Sequence, residues 1–247
     1  MQYHEINFDG AKFSLYENKS NGNKAVRLSP PLQFLSPPAV TNWPKVGPDG
    51  NFGTKYGPDN DKDTKFLLDL NSLPVCTGVP NANFTVFRAK LDALDNKLAE
   101  FVHKNQTVLL KRHNLSLSEI KILQSRSVKE KYDRDTGDFL YYHINLSTRK
   151  YNYAGESRSI GIYDKEGNPT QDLPGHGDVV SAAMQSGMVW IMGDKFGISW
   201  NFSDVCILAM REQMNQVSAQ SAFAGAFEGE KFLTAGVNAG GGQESAA

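Results

Sequence analysis

Residues 178–208, DVVSAAMQSGMVWIMGDKFGISWNFSDVCIL, decide the fold of this 247-residue chain. Two long apolar-rich segments, Asp178–Met192 and Lys195–Leu208, flank Gly193-Asp194, a dipeptide that favours a tight hairpin turn. Alternate positions of the second segment are apolar and share one face of a strand: Phe196, Ile198, Trp200 and Phe202. The stretch therefore predicts two long antiparallel strands, with Phe196 and Trp200 in the core.

Shorter segments with strand patterns lie on the N-terminal side of this hairpin. They are Lys12–Glu17, Leu32–Leu35, Thr64–Leu70, Val128–Tyr132, Phe139–Leu146 and Ser159–Tyr163. Prolines bracket Leu32–Leu35, which predicts a short or edge strand because proline cannot donate to a ladder. Residues 37–62 are rich in proline and glycine and predict a long loop, a feature that is usually functional inside a compact domain.

One segment in the middle of the chain changes from strand to helix periodicity. Its apolar residues are spaced by three and four positions and form one stripe: Phe84, Phe87, Leu91, Leu94, Leu98 and Phe101. We expect an amphipathic helix over residues 84–102, capped by Asn81 or Asn83, that buries its stripe within the chain rather than on a partner. A shorter helix is expected at Leu117–Gln124 with Ser116 or Ser118 as its cap.

Composition excludes several classes of protein. The formal net charge is −1 and hydrophobic residues make up 40% of the chain, which argues against disorder and against a histone-like basic protein. The two cysteines, Cys76 and Cys206, form no CxxC pair, and the five histidines lack metal-ligand spacing. We find no cofactor, metal or catalytic motif, no signal peptide and no membrane-spanning run, so we expect an intracellular, non-enzymatic protein with free thiols.

Basic and aromatic residues are interleaved between residues 101 and 160. This stretch holds 11 basic and six acidic residues, an excess of 11 − 6 = +5 in a chain of net −1. Five tyrosines fall among them, most densely in Arg149-Lys150-Tyr151-Asn152-Tyr153. Single-strand binders combine cations that follow phosphates with rings that stack on bases, whereas the alternative is a solvated surface with tyrosines at sheet edges.

The order of several short motifs resembles a known viral family. They are Leu32–Pro38 (LQFLSPP), Phe52-Gly53, Phe66–Leu70 (FLLDL), Leu140–Leu146, Ile162–Gly167 (IYDKEG), Gly175–Asp178, Met188–Ile191 and Lys195–Trp200 (KFGISW). The chain is similar over residues 30–210 to phage-type single-stranded DNA-binding proteins of large DNA viruses of algae and protists.

That resemblance implies a mostly β, oligonucleotide-binding (OB) fold: a five-stranded barrel with an inserted amphipathic helix. We expect a single-stranded DNA-binding domain at residues 1–210. Residues 211–247 are rich in Ala, Gly, Ser and Gln, a composition that predicts a flexible tail. The resemblance implies sequence-independent binding of single strands during viral DNA replication, recombination or repair, in the host nucleus or at a cytoplasmic viral replication site.

The residues expected to contact nucleic acid fall into two groups. Rings expected to stack on bases are Trp43, Tyr56, Tyr141, Tyr151 and Tyr153. Cations expected to contact phosphates are Lys45, Lys55, Lys111, Arg112, Lys129, Lys131, Arg149, Lys150 and Arg158.

The tail departs from the family pattern. Phage members have a strongly acidic tail with a terminal aromatic residue that docks replication partners, whereas residues 211–247 carry four acids and end Ser245-Ala246-Ala247. Phe223, Phe227 and Phe232 would be a weaker substitute for docking replication proteins. A homo-oligomer also stays open.

Two rival functions remain beside single-strand binding. A viral structural or capsid-associated β protein would share the aromatic strands and Gly/Pro loops but needs no cationic groove. An enzyme of nucleic-acid metabolism without a known motif is the second rival. A binding assay with single-stranded DNA and with duplex DNA distinguishes these three functions.

Overall fold

The computed structural model describes residues 2–17, 24–41, 65–72, 82–149 and 159–211. The strands of these residues are β1 (Lys12–Glu17), β2 (Lys24–Ser29), β3 (Gln33–Leu35), β4 (Ala39–Thr41), β5 (Lys65–Asn71), β6 (Gln124–Ser125), β7 (Lys129–Tyr132), β8 (Phe139–Arg149), β9 (Gly161–Tyr163), β10 (Val179–Met192) and β11 (Lys195–Ala209). The helices are α1 (Ala82–Lys104), α2 (Gln106–Leu109) and α3 (Leu117–Leu123), after a 3-10 turn at Tyr3–Glu5. No helix of the described residues is both long and apolar enough to cross a membrane.

The long hairpin predicted from residues 178–208 is present as β10 and β11. The two strands pair antiparallel from Val179 opposite Ala209 to Met192 opposite Lys195. Gly193 opens the turn with a φ of 61°, a left-handed conformation that glycine adopts without a Cβ penalty. Phe196, Ile198, Trp200 and Phe202 are all buried, which confirms the aromatic face predicted from their alternation.

Five strands form a ring around the core. Antiparallel pairing joins β8 to β5, β5 to β4, β4 to β10 and β10 to β11. The ring closes where β8 and β11, which run parallel to each other, lie side by side. There the buried Thr148 hydroxyl donates to the Phe202 carbonyl and accepts from the Phe202 N–H at 2.9 Å. This is the mostly β, OB-fold-like barrel that was predicted, closed on one side by a side chain instead of a ladder.

The remaining strands extend this ring. β1 and β2 form a hairpin that joins β10 at Val26, and β7 adds to the free side of β8. β3 pairs with β10, while β6 and β9 pair in parallel with β11. Among the described residues, β1 and β7 are therefore the two outer strands of the main sheet.

The inserted helix α1 packs its apolar stripe into the core. Five residues of the stripe have no exposed surface: Phe84, Phe87, Leu91, Leu94 and Leu98. The sixth, Phe101, contacts Phe13 of β1 with ring centroids 6.0 Å apart. Burial within the chain is thus confirmed. The helix begins at Ala82, so Asn83 lies inside it and does not cap it, and Asn81 lies outside the described residues. Ser116 caps α3 as predicted, and Glu119 completes a capping box.

One sequence prediction needs correction. The expected loop 37–62 contains β4, whose Ala39 and Val40 are buried between β10 and β5. The flanking Pro37-Pro38 obscured it, since a strand of three residues shows no alternation against such neighbours. Residues 42–62 of that loop lie outside the described residues.

Candidate nucleic-acid interface

Alternation along β8 separates a core side from an outer side. Ile144, Leu146 and Thr148 are buried, so the intervening residues of β8 point to the opposite face. These residues are Tyr141, His143, Asn145 and Ser147, and each keeps part of its surface exposed. We call the outer surface of the three adjacent strands β5, β8 and β7 the β5–β8–β7 face. When the five strands of the ring are counted along the chain, β5 is the second and β8 is the third. In OB-folds the outer face of the second and third strands binds oligonucleotides.

Strand register brings three of the predicted residues together on this face. Lys131 of β7 is opposite Tyr141, and Lys129 is opposite His143. Directly opposed residues have Cβ atoms about 4.5–5.5 Å apart, so each lysine side chain leaves the same face of the sheet next to the side chain that it opposes. The Tyr141 and His143 rings meet edge to face with centroids 6.2 Å apart. The result is a block of two cations and two rings at one end of the β5–β8–β7 face.

The two lysines of this block are not neutralised by carboxylates. Among the described residues, Lys129 and Lys131 belong to no ion pair, whereas Arg88 and Arg126 do. Arg126 lies 3.6 Å from Asp92, and Arg88 contacts Asp92 at 3.3 Å and Glu130 at 3.6 Å. Cations already paired within the chain gain less from a phosphate than free ones, because binding breaks an existing contact. Lys129 and Lys131 therefore bring positive charge without a carboxylate partner to the β5–β8–β7 face.

One carboxylate also lies on this face. Asp69 of β5 is opposite Asn145, and its Oδ1 atom lies 3.4 Å from Nδ1 of His143. The imidazole stands between this carboxylate and Lys129.

The other end of the face adjoins two predicted segments. Lys65 opens β5 directly opposite Arg149, the last residue of β8. Residues 42–64 precede Lys65 in the chain and residues 150–158 follow Arg149, so both segments join the described structure at this pair. The predicted residues Trp43, Lys45, Lys55, Tyr56, Lys150, Tyr151, Tyr153 and Arg158 fall in these segments and lie outside the described residues.

The structure places Lys111 and Arg112 away from this block. Both follow α2, and Lys111 has a φ of 55° and donates from Nζ to the Val108 carbonyl at 3.1 Å. Arg112 lies 3.7 Å from Asp194, in the turn between β10 and β11. Both were predicted to contact phosphates, but they lie in the loop after α2, and Arg112 is paired with the β10–β11 turn. That turn joins β10 and β11, the fourth and fifth strands of the ring. In OB-folds the loop between these two strands also contacts nucleic acid.

Sequence reasoning missed His143 and Lys65. The signal was available for His143, because it is two positions from Tyr141 and alternation puts both on one face. Lys65 is recognisable only from its register opposite Arg149. In contrast, Tyr142 points the other way and is held under the Arg88 guanidinium, 3.9 Å from its ring centroid. It packs at 4.7 Å against Phe139, so its role is structural.

A buried carboxylate fixes β7 in position. Asp95 of α1 accepts hydrogen bonds from the Ser127 N–H at 2.7 Å and the Ser127 hydroxyl at 2.9 Å. Ser127 precedes β7 by two residues, so these bonds tie the strand that carries Lys129 and Lys131 to the core helix. Burial raises the pKa of Asp95 to about 6, although the Ser127 hydrogen bonds oppose the rise.

Comparison with solved structures finds phage proteins of similar architecture. The single-stranded DNA-binding protein gp2.5 of bacteriophage T7 aligns with a TM-score of 0.45 at 10% identity, over 72% of this chain and 86% of its own. The single-stranded DNA-binding protein of bacteriophage Enc34 aligns with a TM-score of 0.40 at 14% identity, over 86% and 99%. Its complex with single-stranded DNA gives a TM-score of 0.36 at 12% identity, over 79% and 94%. No family profile and no characterised protein sequence matches the chain.

Proposed function

We propose that this chain is a non-enzymatic protein that binds single-stranded DNA without sequence preference. The observation that carries the proposal is the block of Lys129, Lys131 and Tyr141 on the outer face of the second and third barrel strands. Two lysines without carboxylate partners among the described residues share a face there with a partly exposed tyrosine. Together they offer one kind of contact to the phosphates and another to the bases.

The geometry of the face favours single strands over duplex. Residues of one face of a strand repeat every ~6.6 Å, and neighbouring strands are ~4.8 Å apart. Rings and ammonium groups at these spacings can contact a single DNA strand whose bases are splayed out and whose phosphates run along the surface. A duplex keeps its bases stacked inside, so Tyr141 would find no base face to contact.

Sequence independence follows from the types of contact. Lysine ammonium groups interact with phosphates, which are the same in every nucleotide, and a tyrosine ring stacks on any base. Bidentate readout of base edges takes place in the major groove of a duplex. Contacts to the phosphates and base planes of a single strand do not use it.

The biological setting forms part of the proposal and rests on the sequence resemblance. We place the protein in viral DNA replication, recombination or repair, at the host nucleus or a cytoplasmic viral replication site. Residues 211–247 would act as an arm that docks replication proteins, using Phe223, Phe227 and Phe232.

Binding of a fluorescent oligonucleotide tests this function. The full chain is titrated against single-stranded DNA and the matching duplex at several salt concentrations, and the oligonucleotide is then run on a gel to detect chemical change. We expect tighter binding to the single strand, weakening as salt rises because phosphate neutralisation releases counterions. Absence of binding at low salt would favour a structural β protein. An altered oligonucleotide would favour an enzyme.

A further inference from the structure

The outer edge of β1 is open to a further strand. Among the described residues, β1 pairs with β2 alone and ends the strand order of the sheet. It is six residues long and contains neither proline nor glycine. An edge of this kind presents unpaired N–H and C=O groups that favour the addition of another strand.

The two faces of β1 have different chemistry. Phe13 and Leu15 are opposite the buried Leu28 and Val26 of β2, and thus lie on the core side. Leu15 is nevertheless 38% exposed, because nothing in the described residues covers it from the open edge. The other face carries Lys12, Ser14 and Tyr16, with the Arg27 guanidinium 4.9 Å from the Tyr16 ring.

We propose that a second copy of this chain pairs with β1, antiparallel, with Ser14 opposite Ser14 of the second copy. A two-fold axis that relates antiparallel strands stands perpendicular to the sheet, so residues of one face must oppose residues of the same face. The axis then passes beside one residue, which lies opposite the same residue of the second copy. The choice of that residue fixes every other pair.

The Ser14 register matches chemistry on both faces. It puts Phe13 opposite Leu15 of the second copy and Lys12 opposite Tyr16 of the second copy. The core-side row then reads Val26, Leu15, Phe13 and Leu28 across both chains, and it covers the exposed surface of Leu15. A register centred on Leu15 would instead set Phe13 against Glu17. One centred on Phe13 would pair fewer residues of β1.

The other outer strand does not support such pairing. If two copies of β7 paired about a two-fold axis at Lys131, the Lys131 side chains of the two copies would lie opposite each other. With the axis at Glu130, the two Glu130 carboxylates would lie opposite each other, and Lys129 of each copy would lie opposite Lys131 of the other. Like charges directly opposite destabilise a sheet. Charge therefore protects β7, whereas β1 carries its charges at its two ends. The pairing of β1 with β1 uses both open edges and closes the assembly at two chains.

Introducing a negative charge at Ser14 in one variant and a positive charge in another tests the proposal. Ser14 is exposed and opposite Arg27 within its own chain, so Ser14→Glu and Ser14→Lys variants should both fold, as thermal melting will check. The sedimentation of the full chain is measured over a dilution series. We expect a reversible dimer for the wild type, monomers for each variant, and recovery of a dimer when the two variants are mixed. Opposite charges then meet at the axis.

Two controls make the result specific to this register. Ser14→Thr, which keeps the size and hydroxyl, and Ser118→Glu on α3 should both remain dimeric. Under oxidation Ser14→Cys should form a disulfide dimer, since opposed antiparallel residues have Cα atoms about 4.5–5.5 Å apart, and Leu15→Cys should not. A wild type that is monomeric at every concentration would overturn the proposal, and so would a Ser14→Glu dimer as strong as the wild type.

Discussion

At the scale of single residues, the pair Lys131 and Tyr141 concentrates the chemistry of the candidate interface. The two residues are opposed across β7 and β8, and among the described residues Lys131 has no carboxylate partner. Arg112 and Arg126, which stand out equally in the sequence, are paired with Asp194 and Asp92. Exposure of a cation is therefore less informative than the absence of a counter-charge beside it.

Lys131→Ala should weaken binding to every single-stranded sequence alike. Loss of one phosphate contact lowers the slope of log affinity against log salt by about one unit. Titration of homopolymeric oligonucleotides at four salt concentrations measures both effects. Lys165→Ala, an exposed lysine 3.6 Å from Glu166, is the matched control and should leave the slope unchanged. Equal slopes for Lys131→Ala and the wild type would remove Lys131 from the interface.

Tyr141→Ala should cost roughly 1–3 kcal/mol of binding free energy, the value of one stacked base. Tyr141→Phe should retain most of the affinity, because the ring face makes the contact. Tyr132→Ala serves as the matched control, since this 47% exposed tyrosine packs with Phe139, away from the Lys131–Tyr141 row of the β7–β8 hairpin. Equal losses for Tyr132→Ala and Tyr141→Ala would indicate a general effect on the hairpin instead of stacking.

At the scale of elements, α1 both fills the barrel and fixes β7. Its apolar stripe is buried, and on the adjacent surface Asp95 holds the Ser127 segment while Gln124 donates to the Asp95 carbonyl at 2.8 Å. A carboxylate in this environment is unusual, because burial disfavours its charged form. The Ser127 hydrogen bonds compensate only in part, as the raised pKa of Asp95 shows.

Asp95→Asn should flatten the dependence of stability on pH. The folded-state pKa of about 6 exceeds the ordinary value of 3.8, so the stability that protonated Asp95 contributes is present below about pH 4 and lost as pH rises through 6. The difference corresponds to at most ~3 kcal/mol at about 1.36 kcal/mol per pKa unit. Urea denaturation of both proteins between about pH 4 and pH 7 measures it. Parallel curves for the two proteins would contradict this assignment.

At the scale of the whole molecule, one closed ring of strands carries two extensions and a C-terminal segment. The β1–β2 hairpin extends the sheet at β10, and β7 extends it at β8, so the proposed dimer edge and the proposed DNA face lie on different extensions. Arg211 ends the described chain, and its N–H donates to Asp178 at 2.8 Å. Residues 212–247 follow this contact.

Truncation after Arg211 should leave the melting temperature nearly unchanged and leave affinity for single strands equal or higher. The reason is compositional: the Gly/Ala-rich end has little apolar surface to offset ordering entropy, and its acids compete weakly with phosphates. Arg211 is kept because of its bond to Asp178. Differential scanning calorimetry and oligonucleotide titration provide the measurements. Aggregation, or a much lower melting temperature, would make the segment part of the folded core.

The sequence by itself determined the elements whose patterns are local. The β10–β11 hairpin, the stripe of α1 and a serine cap of α3 at position 116 or 118 depend on residues a few positions apart. The structure has each of them, with Ser116 as the cap. Periodicity works here because backbone geometry alone sets which neighbours share a face.

Only the tertiary structure decided which of these elements meet. The ring closes at Thr148 and Phe202, which are 54 residues apart, and Lys65 is opposite Arg149 across a still longer separation in the chain. The same packing paired Arg112 with Asp194 of the hairpin turn and made Ala39–Thr41 a barrel strand. Such neighbours depend on the register and packing of distant segments, and hydrophobic pattern restricts this register without naming the partner.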